Sequence, residues 1–427
     1  MNINSDVPTA LLKRIRRHVI GKKHEFFIST SPGLEKLCLA ELMELPLSEK
    51  DAKTVFGGVE FFGKLYDCYI ANLCLRTANR ILMRMAAFKA ESFRQLEKKL
   101  ADIPWELYLY PDSVFSVSVT SKHSRLYHSD AVAERFKKSI RGRFSGGNGI
   151  SRPGALAMKK AAMQKSAGQE NDGQENAELK IFVRIKDDMF SVSMDSSGQL
   201  LHKRGIIVNP GKAPIRETIA AGILKTAGYT GSEPLVDPMC GSGTFSVEGA
   251  MMAINAAPCR NREFAFMNWP SFMPQRWNYL LKETDLKKLD RSDESAIKPE
   301  IFASDRAQNM IKTLEKDVRD SSFADIISVN CRDFFEFSPK DLTHKTGLVV
   351  INPPYGRRIG SVTESRSKFQ AIVKKLAEHY NGWKFALIAS HKDLIKTVPF
   401  AYKTKTIHHG GLKLTLLTGY RKQKWIT

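Results

Sequence analysis

The sequence is notable first for what it lacks. No stretch reaches eighteen uninterrupted apolar residues, so no transmembrane helix is expected. The opening MNINSDVPTALLKRIRRHVIGKKHE is too polar for a secretory leader. The six cysteines, Cys38, Cys68, Cys74, Cys240, Cys259 and Cys331, stand far apart. None forms a Cys-x-x-Cys pair and no His cluster completes a zinc pattern, so no metal site is expected. They read as reduced, mostly buried thiols of a cytoplasmic protein. No fixed-period repeat is visible. What remains is ordinary for a soluble globular chain: 427 residues, 42% hydrophobic and 26% charged, enough for two or three domains.

Acid is in short supply too, with 45 Asp and Glu against 66 Lys and Arg, a net charge of +21. The excess is +8 over residues 1–150, zero over 151–200 and +13 over 201–427, so it is not confined to one tail. A polyanion, nucleic acid first, is the expected partner; the plain alternative is charge kept for solubility.

Residues 1–24 hold Lys13, Arg14, Arg16, Arg17, Lys22 and Lys23, a basic arm that meets RNA or is simply a solvated tail. EFFIST reads as a strand, Pro32-Gly33 as a turn, and GLEKLCLAELMEL as a helix with a leucine stripe. VFGGVEFFG is a strand-and-turn piece, and the spacing of Leu65, Tyr69, Leu73, Ala78 and Leu82 predicts one long helix over 65–88. SVFSVSVTS alternates as a half-buried strand, and HSDAVAERFKKSIRGRF is a helix starting near Ser129 or Asp130. Residues 145–178 are rich in Gly, Ser, Gln and Asn and are expected to be a mobile insertion. Two alternating strands follow around Lys186-Asp187-Asp188. The first half is thus α+β, without a catalytic constellation.

The second half changes character. Short apolar strands (PLVDP, EIFASD, DIISVNCRD, GLVVINPPY, WKFALIAS) alternate with helices, as in a parallel sheet covered on both faces. KTIHHGGLKLTLLTGY closes the chain as an antiparallel hairpin. VDPMCGSGTF, residues 236–245, follows a strand and opens a helix, and Gly241 and Gly243 allow a sharp turn close to a ligand. A P-loop is excluded because Gly243 is followed by Thr244-Phe245. A dinucleotide fingerprint could use Ser246 as its third small residue, but its acid, Glu263, does not end an apolar strand; Asp305, ending EIFASD, is the better acid.

Asn352-Pro353-Pro354-Tyr355 ends GLVVI, where open α/β sheets bind ligands. Its chemistry suits methylation of an exocyclic amine, whose lone pair is delocalised into the ring. The Asn352 carboxamide oxygen and the Pro353 carbonyl can accept from the NH2 group and hold it pyramidal, and Tyr355 offers a stacking ring. A bare tetrapeptide of this kind is also a plain turn; the upstream Gly-rich loop and strand-final acid favour the functional reading.

These residues resemble S-adenosylmethionine-dependent methyltransferases. LHKRG at 201–205, APIRETIAAGIL at 213–224, DPMCGSGT at 237–244 and NPPYGRR at 352–358 are similar to the bacterial 23S rRNA guanine-N2 methyltransferases of the NPPY type. FFISTSPGLEKLCLAEL at 26–42 is similar to that family's opening, where a THUMP RNA-binding module with a ferredoxin-like neighbour precedes the catalytic domain. After the basic arm over 1–24, the resemblance implies an RNA-binding region over 25–200 and a Rossmann-like methyltransferase domain over 201–427, mostly parallel with an antiparallel terminal hairpin. It implies Asn352, Pro353, Pro354 and Tyr355 as catalytic. Asp237, Cys240, Gly241, Gly243 and Thr244 would form the cofactor loop, with Arg216, Glu217 and Thr218 near the methionine carboxylate. Asp305 would take the ribose hydroxyls and Asp333 the adenine amine. The acids could equally be helix caps or turn residues, and Arg216 a surface ion pair.

Lys203, Arg204, Arg357 and Arg358 would meet RNA phosphates, or be solvated basic turns. The adjacent His408 and His409 point to opposite faces of a strand and do not make a metal pair. Some relatives carry a second methyltransferase domain; this chain ends at Thr427, so one methylation is expected. The expected partner is 23S rRNA, then tRNA, with no membrane and the oligomeric state open. DNA adenine-N6 methylation and a non-catalytic RNA-binding or ribosome-assembly role are the alternatives.

Overall fold

The structure, a computed structural model, describes residues 9–146, 149, 150, 152, 178–206, 215–288, 300–354, 362–389, 392–409 and 411–421. Nearly all of the expected insertion at 145–178 lies outside them, as do Tyr355, Arg357 and Arg358. Among the described residues no helix is long and apolar enough to cross a membrane.

The first sheet contains β1 (His24–Thr30), β2 (Ala52–Val55), β3 (Gly58–Gly63), β4 (Ala78–Lys89), β5 (Phe115–Lys122), β6 (Leu179–Lys186) and β7 (Met189–Asp195), in the order β2-β3-β1-β4-β7-β6-β5. β1 to β4, with helices Glu35–Glu44 and Leu65–Cys74, make the βαββαβ ferredoxin-like unit. Strict alternation along β1 buries Phe26 and Ile28 beneath those helices. Asp187 and Asp188 both adopt positive φ, +52° and +61°, and form the two-residue β6–β7 turn.

Two expectations fail here. Residues 65–88 are not one helix: it stops at Cys74, and from Ala78 the chain is β4, paired with β1 on one side and β7 on the other. The apolar spacing fitted a helix, but pairing with β1 over Ala78–Met83 and with β7 over Leu82–Lys89 overrides the local period. Nor are residues 9–20 a free arm. They form a helix, Thr9–Ile15, continued by a π-turn, Arg16–Ile20, because Leu11, Ile15 and Val19 recur on one face and are buried in the first core. Arg14 pairs with buried Glu106 at 2.9 Å, while Lys13, Arg16, Arg17 and Lys22 stay exposed.

The second sheet contains β8 (Leu235–Asp237), β9 (Ile301–Asp305), β10 (Ile327–Cys331), β11 (Leu348–Ile351), β12 (Lys384–Ala389), β13 (Lys403–His409) and β14 (Leu412–Tyr420), in the order β10-β9-β8-β11-β12-β14-β13. β8 to β12 are parallel, and the β13–β14 hairpin adds antiparallel to β12. Leu348–Ile351 of β11 are fully buried, as a sheet covered on both faces requires. The chain runs from β8 outward through β9 and β10, then returns to β11 on the other side of β8. That reversal is a topological switch point, the place where such sheets open a crevice at the strands' carboxyl ends.

The two halves are not cleanly divided at residue 200. Phe264, Phe266, Trp269 and Trp277 belong to the first core, and Phe266 stacks on Tyr69 at 4.3 Å. Burying these rings requires the chain after helix Thr244–Ala253 to reach back across the first sheet's helices before it enters β9.

Candidate active site

The loop between β8 and helix Thr244–Ala253 turns through two left-handed residues, Gly241 at φ +55° and Gly243 at φ +76°. Both conformations favour glycine, and Gly243 has a second reason: an added Cβ would lie 2.4 Å from Leu314 Cδ1. At Gly241 an added Cβ would meet nothing within 4 Å among the described residues, so the loop's crest is open on their side. The Cys240 N–H donates to the Ser304 carbonyl at 3.0 Å, and the Gly241 N–H to Asp305 Oδ2 at 3.0 Å. The loop is therefore stitched to the end of β9. Burial pushes the Cys240 thiol well above its ordinary value, so it is an inert packing group. Thr244 is buried at the start of the helix, its hydroxyl 3.4 Å from that of Ser242.

Two acids meet this loop. Asp237 is fully buried; Oδ2 accepts from Ser246 Oγ at 2.8 Å, and Oδ1 has no partner among the described residues. Burial, reinforced by nearby Asp305, pushes its carboxyl up to about 7. Asp305 Oδ1 accepts from the Ala307 N–H at 2.9 Å. With one backbone donor on each oxygen among the described residues, Asp305 keeps a lone pair on each for a pair of hydroxyls. Asp333, after β10, fills the capping role: Oδ1 accepts from the Phe335 N–H at 3.0 Å at the start of a short 3-10 turn. Lys368, on helix Val362–His379, senses both Asp305 and Asp333, although burial first and then Arg306 lower its pKa. Sequence reasoning missed Lys368; nothing in its local sequence marks it.

Asn352 directly follows β11, the strand beside β8, so it and the glycine loop flank the switch point. Asn352 is half-buried, and its Oδ1 is buried without a hydrogen-bond partner among the described residues. Pro353 is buried and Pro354 half-buried, with Lys368, Phe369, Ile388 and Leu394 lining the narrow pocket behind them. An orphaned amide oxygen at a strand end is costly unless a ligand donates to it.

The remaining expected residues divide. Arg216 and Glu217 are half-buried at the start of helix Glu217–Thr226, and burial pushes the Glu217 carboxyl up to about 7. Thr218 is fully buried, and its hydroxyl donates to Asn79 Oδ1 on β4 at 2.9 Å, so it serves the junction between the two sheets. Lys203 is exposed. Arg204, expected beside it at an RNA phosphate, is only 2% exposed. Its guanidinium donates to Glu248 Oε1 at 3.0 Å, the Leu201 carbonyl at 2.8 Å and the Arg76 carbonyl at 2.6 Å. Burial would lower its pKa, but Glu248 and Cys259 hold it above the ordinary value. This arginine locks helix Thr244–Ala253 to the first domain and has no access to RNA. Arg76 completes the lock by donating to the Met251 and Ala256 carbonyls at 3.1 and 2.6 Å. Arg76, Asn79 and Glu248 carry no local motif, and the long-helix reading of 65–88 hid the first two.

Known proteins resemble this chain in sequence and fold. Residues 204–416 match the RMKL-like methyltransferase domain, and residues 25–82 match the RlmL ferredoxin-like domain. "Putative RNA methyltransferase YpsC" of Bacillus subtilis is 30% identical over 374 residues, covering 87% of this chain and 89% of the relative. "Ribosomal RNA large subunit methyltransferase K/L" of Psychromonas ingrahamii is also 30% identical, covering 87% of this chain but 46% of the relative. The chain thus spans about half the length of the K/L relatives it matches. Among solved structures, "SMU.472, a putative methyltransferase complexed with SAH" superposes with a TM-score of 0.77 at 26% identity, covering 95% of this chain and 99% of its own.

Proposed function

Because the chain belongs to the RMKL-like methyltransferase family, we propose that it transfers a methyl group from S-adenosylmethionine to the exocyclic N2 of a guanine in 23S rRNA. The observation that carries this reading is the orphaned Asn352 Oδ1 at the end of β11, beside the glycine loop that follows β8. An acceptor with no donor among the described residues, at the switch point, fits an NH2 group brought in from outside. The net charge of +21 supports a nucleic acid as its bearer.

The chain's residues fit the donor. S-adenosylmethionine, when bound, supplies an activated methyl group on a positively charged sulfur. Asp305 has a free lone pair on each oxygen for adjacent ribose hydroxyls, and Gly241 leaves room for close backbone approach. Asp237 Oδ1 has an acceptor to spare beside the loop. Arg216, at the start of helix Glu217–Thr226, supplies the positive charge a carboxylate wants.

Asn352 Oδ1 and the Pro353 carbonyl would accept the two N–H bonds of the target amine. Holding both draws the nitrogen out of the plane of the base and turns its lone pair toward the methyl group. The Tyr355 ring would stack on the flipped base. The proton leaves for solvent after transfer, so the site needs no strong base. Preorganisation of the amine supplies the acceleration. Lys203, Arg357 and Arg358 would meet flanking phosphates.

The test is methyl transfer to large-subunit rRNA, tRNA and genomic DNA from a strain lacking the gene, with product nucleosides identified by mass spectrometry. N2-methylguanosine in rRNA alone is the expected result. The same nucleoside in tRNA would move the substrate and keep the chemistry. N6-methyladenine would overturn the base assignment, and no product with intact cofactor binding would favour the assembly role.

A further inference from the structure

The most exposed large apolar side chain among the described residues is Phe56, at 92%. It occupies the two-residue turn between β2 and β3, where Gly57, at φ +79°, supplies the left-handed residue. The turn is held firmly. The Thr30 N–H donates to the Gly57 carbonyl at 3.0 Å, and Glu35 accepts from the Gly57 and Gly33 N–H groups at 3.4 and 2.8 Å. An aromatic ring on a braced hairpin tip is presented, not merely left over.

The tip's location gives the ring a partner. Gly33, tied to the same carboxylate, approaches β13 so closely that an added Cβ would lie 3.0 Å from the Thr406 carbonyl. Thr406 pairs with Thr415, which pairs with Ala389, the last residue of β12. Ala389 lies at the same edge of the sheet as Asn352, since Ile351 pairs with Leu387. The hairpin tip therefore stands against β13, at the same edge of the second sheet as Asn352, with β11 and β13 three steps, about 14 Å, apart. Exposed Lys413 lies two residues from Thr415 on the same terminal hairpin, toward its turn.

We propose that Phe56 is a stacking platform for an unpaired nucleobase of the RNA substrate, near the base that is methylated. An exposed aromatic on a firm mount, with a lysine on the neighbouring hairpin, is a combination that suits single-stranded nucleic acid. The inference rests on the RNA reading above. Phe56 touches neither the donor nor the reacting amine, so it acts on binding alone.

Steady-state methylation of large-subunit rRNA by Phe56→Ala, Phe56→Trp and the control Leu286→Ala tests this. Leu286 is 84% exposed at the end of helix Pro274–Leu286. Phe56→Ala should raise KM for the RNA about fivefold or more with kcat and cofactor affinity unchanged, because stacking contributes at that level per base. Phe56→Trp should keep the wild-type KM, and Leu286→Ala should not change it. Irradiation of the wild-type chain with the same rRNA should give a nucleotide adduct on the peptide containing Phe56. A Phe56→Ala enzyme with wild-type KM and no adduct would overturn the proposal while leaving the methyl-transfer reading intact. If the wild-type chain methylated no RNA, the adduct alone would decide: its presence would uphold the platform and its absence would refute it.

Discussion

Replacing Arg204 with methionine removes one of the two buried cations, Arg204 and Arg76, that join the two domains. Arg204 is 2% exposed and Glu248 is fully buried, so neither charge is relieved by water. In Arg204→Met the Glu248 carboxylate loses its only ion-pair partner among the described residues, and the Leu201 and Arg76 carbonyls lose a donor each. Breaking one side of a buried pair costs about 3–5 kcal/mol, well above the ~1 kcal/mol ceiling of surface pairs. Urea unfolding should therefore show a loss of about 4 kcal/mol. Arg204→Met combined with Glu248→Leu removes the stranded charge as well and should recover most of that loss. A single-variant loss below about 1 kcal/mol would refute the reasoning. So would a double variant no more stable than the single.

Gly243→Ala places a Cβ 2.4 Å from Leu314 Cδ1 at φ +76°, which costs about 1–2 kcal/mol in backbone strain before Leu314 moves. S-adenosylmethionine binding by calorimetry should weaken about tenfold as the loop shifts, and unchanged affinity would count against the loop's role. Asp237 has a folded pKa raised to about 7 by burial, against an unfolded value near 3.9. Its contribution to stability is full below about pH 4 and is lost as pH rises through about 7. Asp237→Asn should accordingly be more stable relative to wild type at pH 8 than at pH 5, by about 2 kcal/mol or more. Parallel pH profiles for the two proteins would contradict the assignment.

The parts legible in the sequence were those whose information is local. A glycine pair after an apolar strand, an acid ending the next strand and Asn-Pro-Pro after a third each announce a strand's carboxyl end. Parallel pairing then brings those ends to one edge without further instruction. Long-range placement was hidden. Ala78, Asn79 and Leu82 fit a helical stripe, and only pairing with β1 and β7 makes them a strand. Arg204 reads as an exposed basic residue beside Lys203; its burial depends on Glu248, 44 residues away, and on Arg76, 128 away. The basic spacing of residues 13–17 concealed the Leu11, Ile15 and Val19 face that buries the helix. Phe264, Phe266 and Trp277 lie within the second half of the chain yet complete the first half's core.

In the proposed reaction Asn352 holds the amine while other residues hold the donor. Asn352→Ala, assayed for S-adenosylmethionine binding by calorimetry and for methyl transfer to large-subunit rRNA, tests it most directly. Cofactor affinity should stay at the wild-type value while transfer falls by at least about 100-fold, the scale on which misplacing a reacting group is felt. Transfer at the wild-type rate would contradict that role.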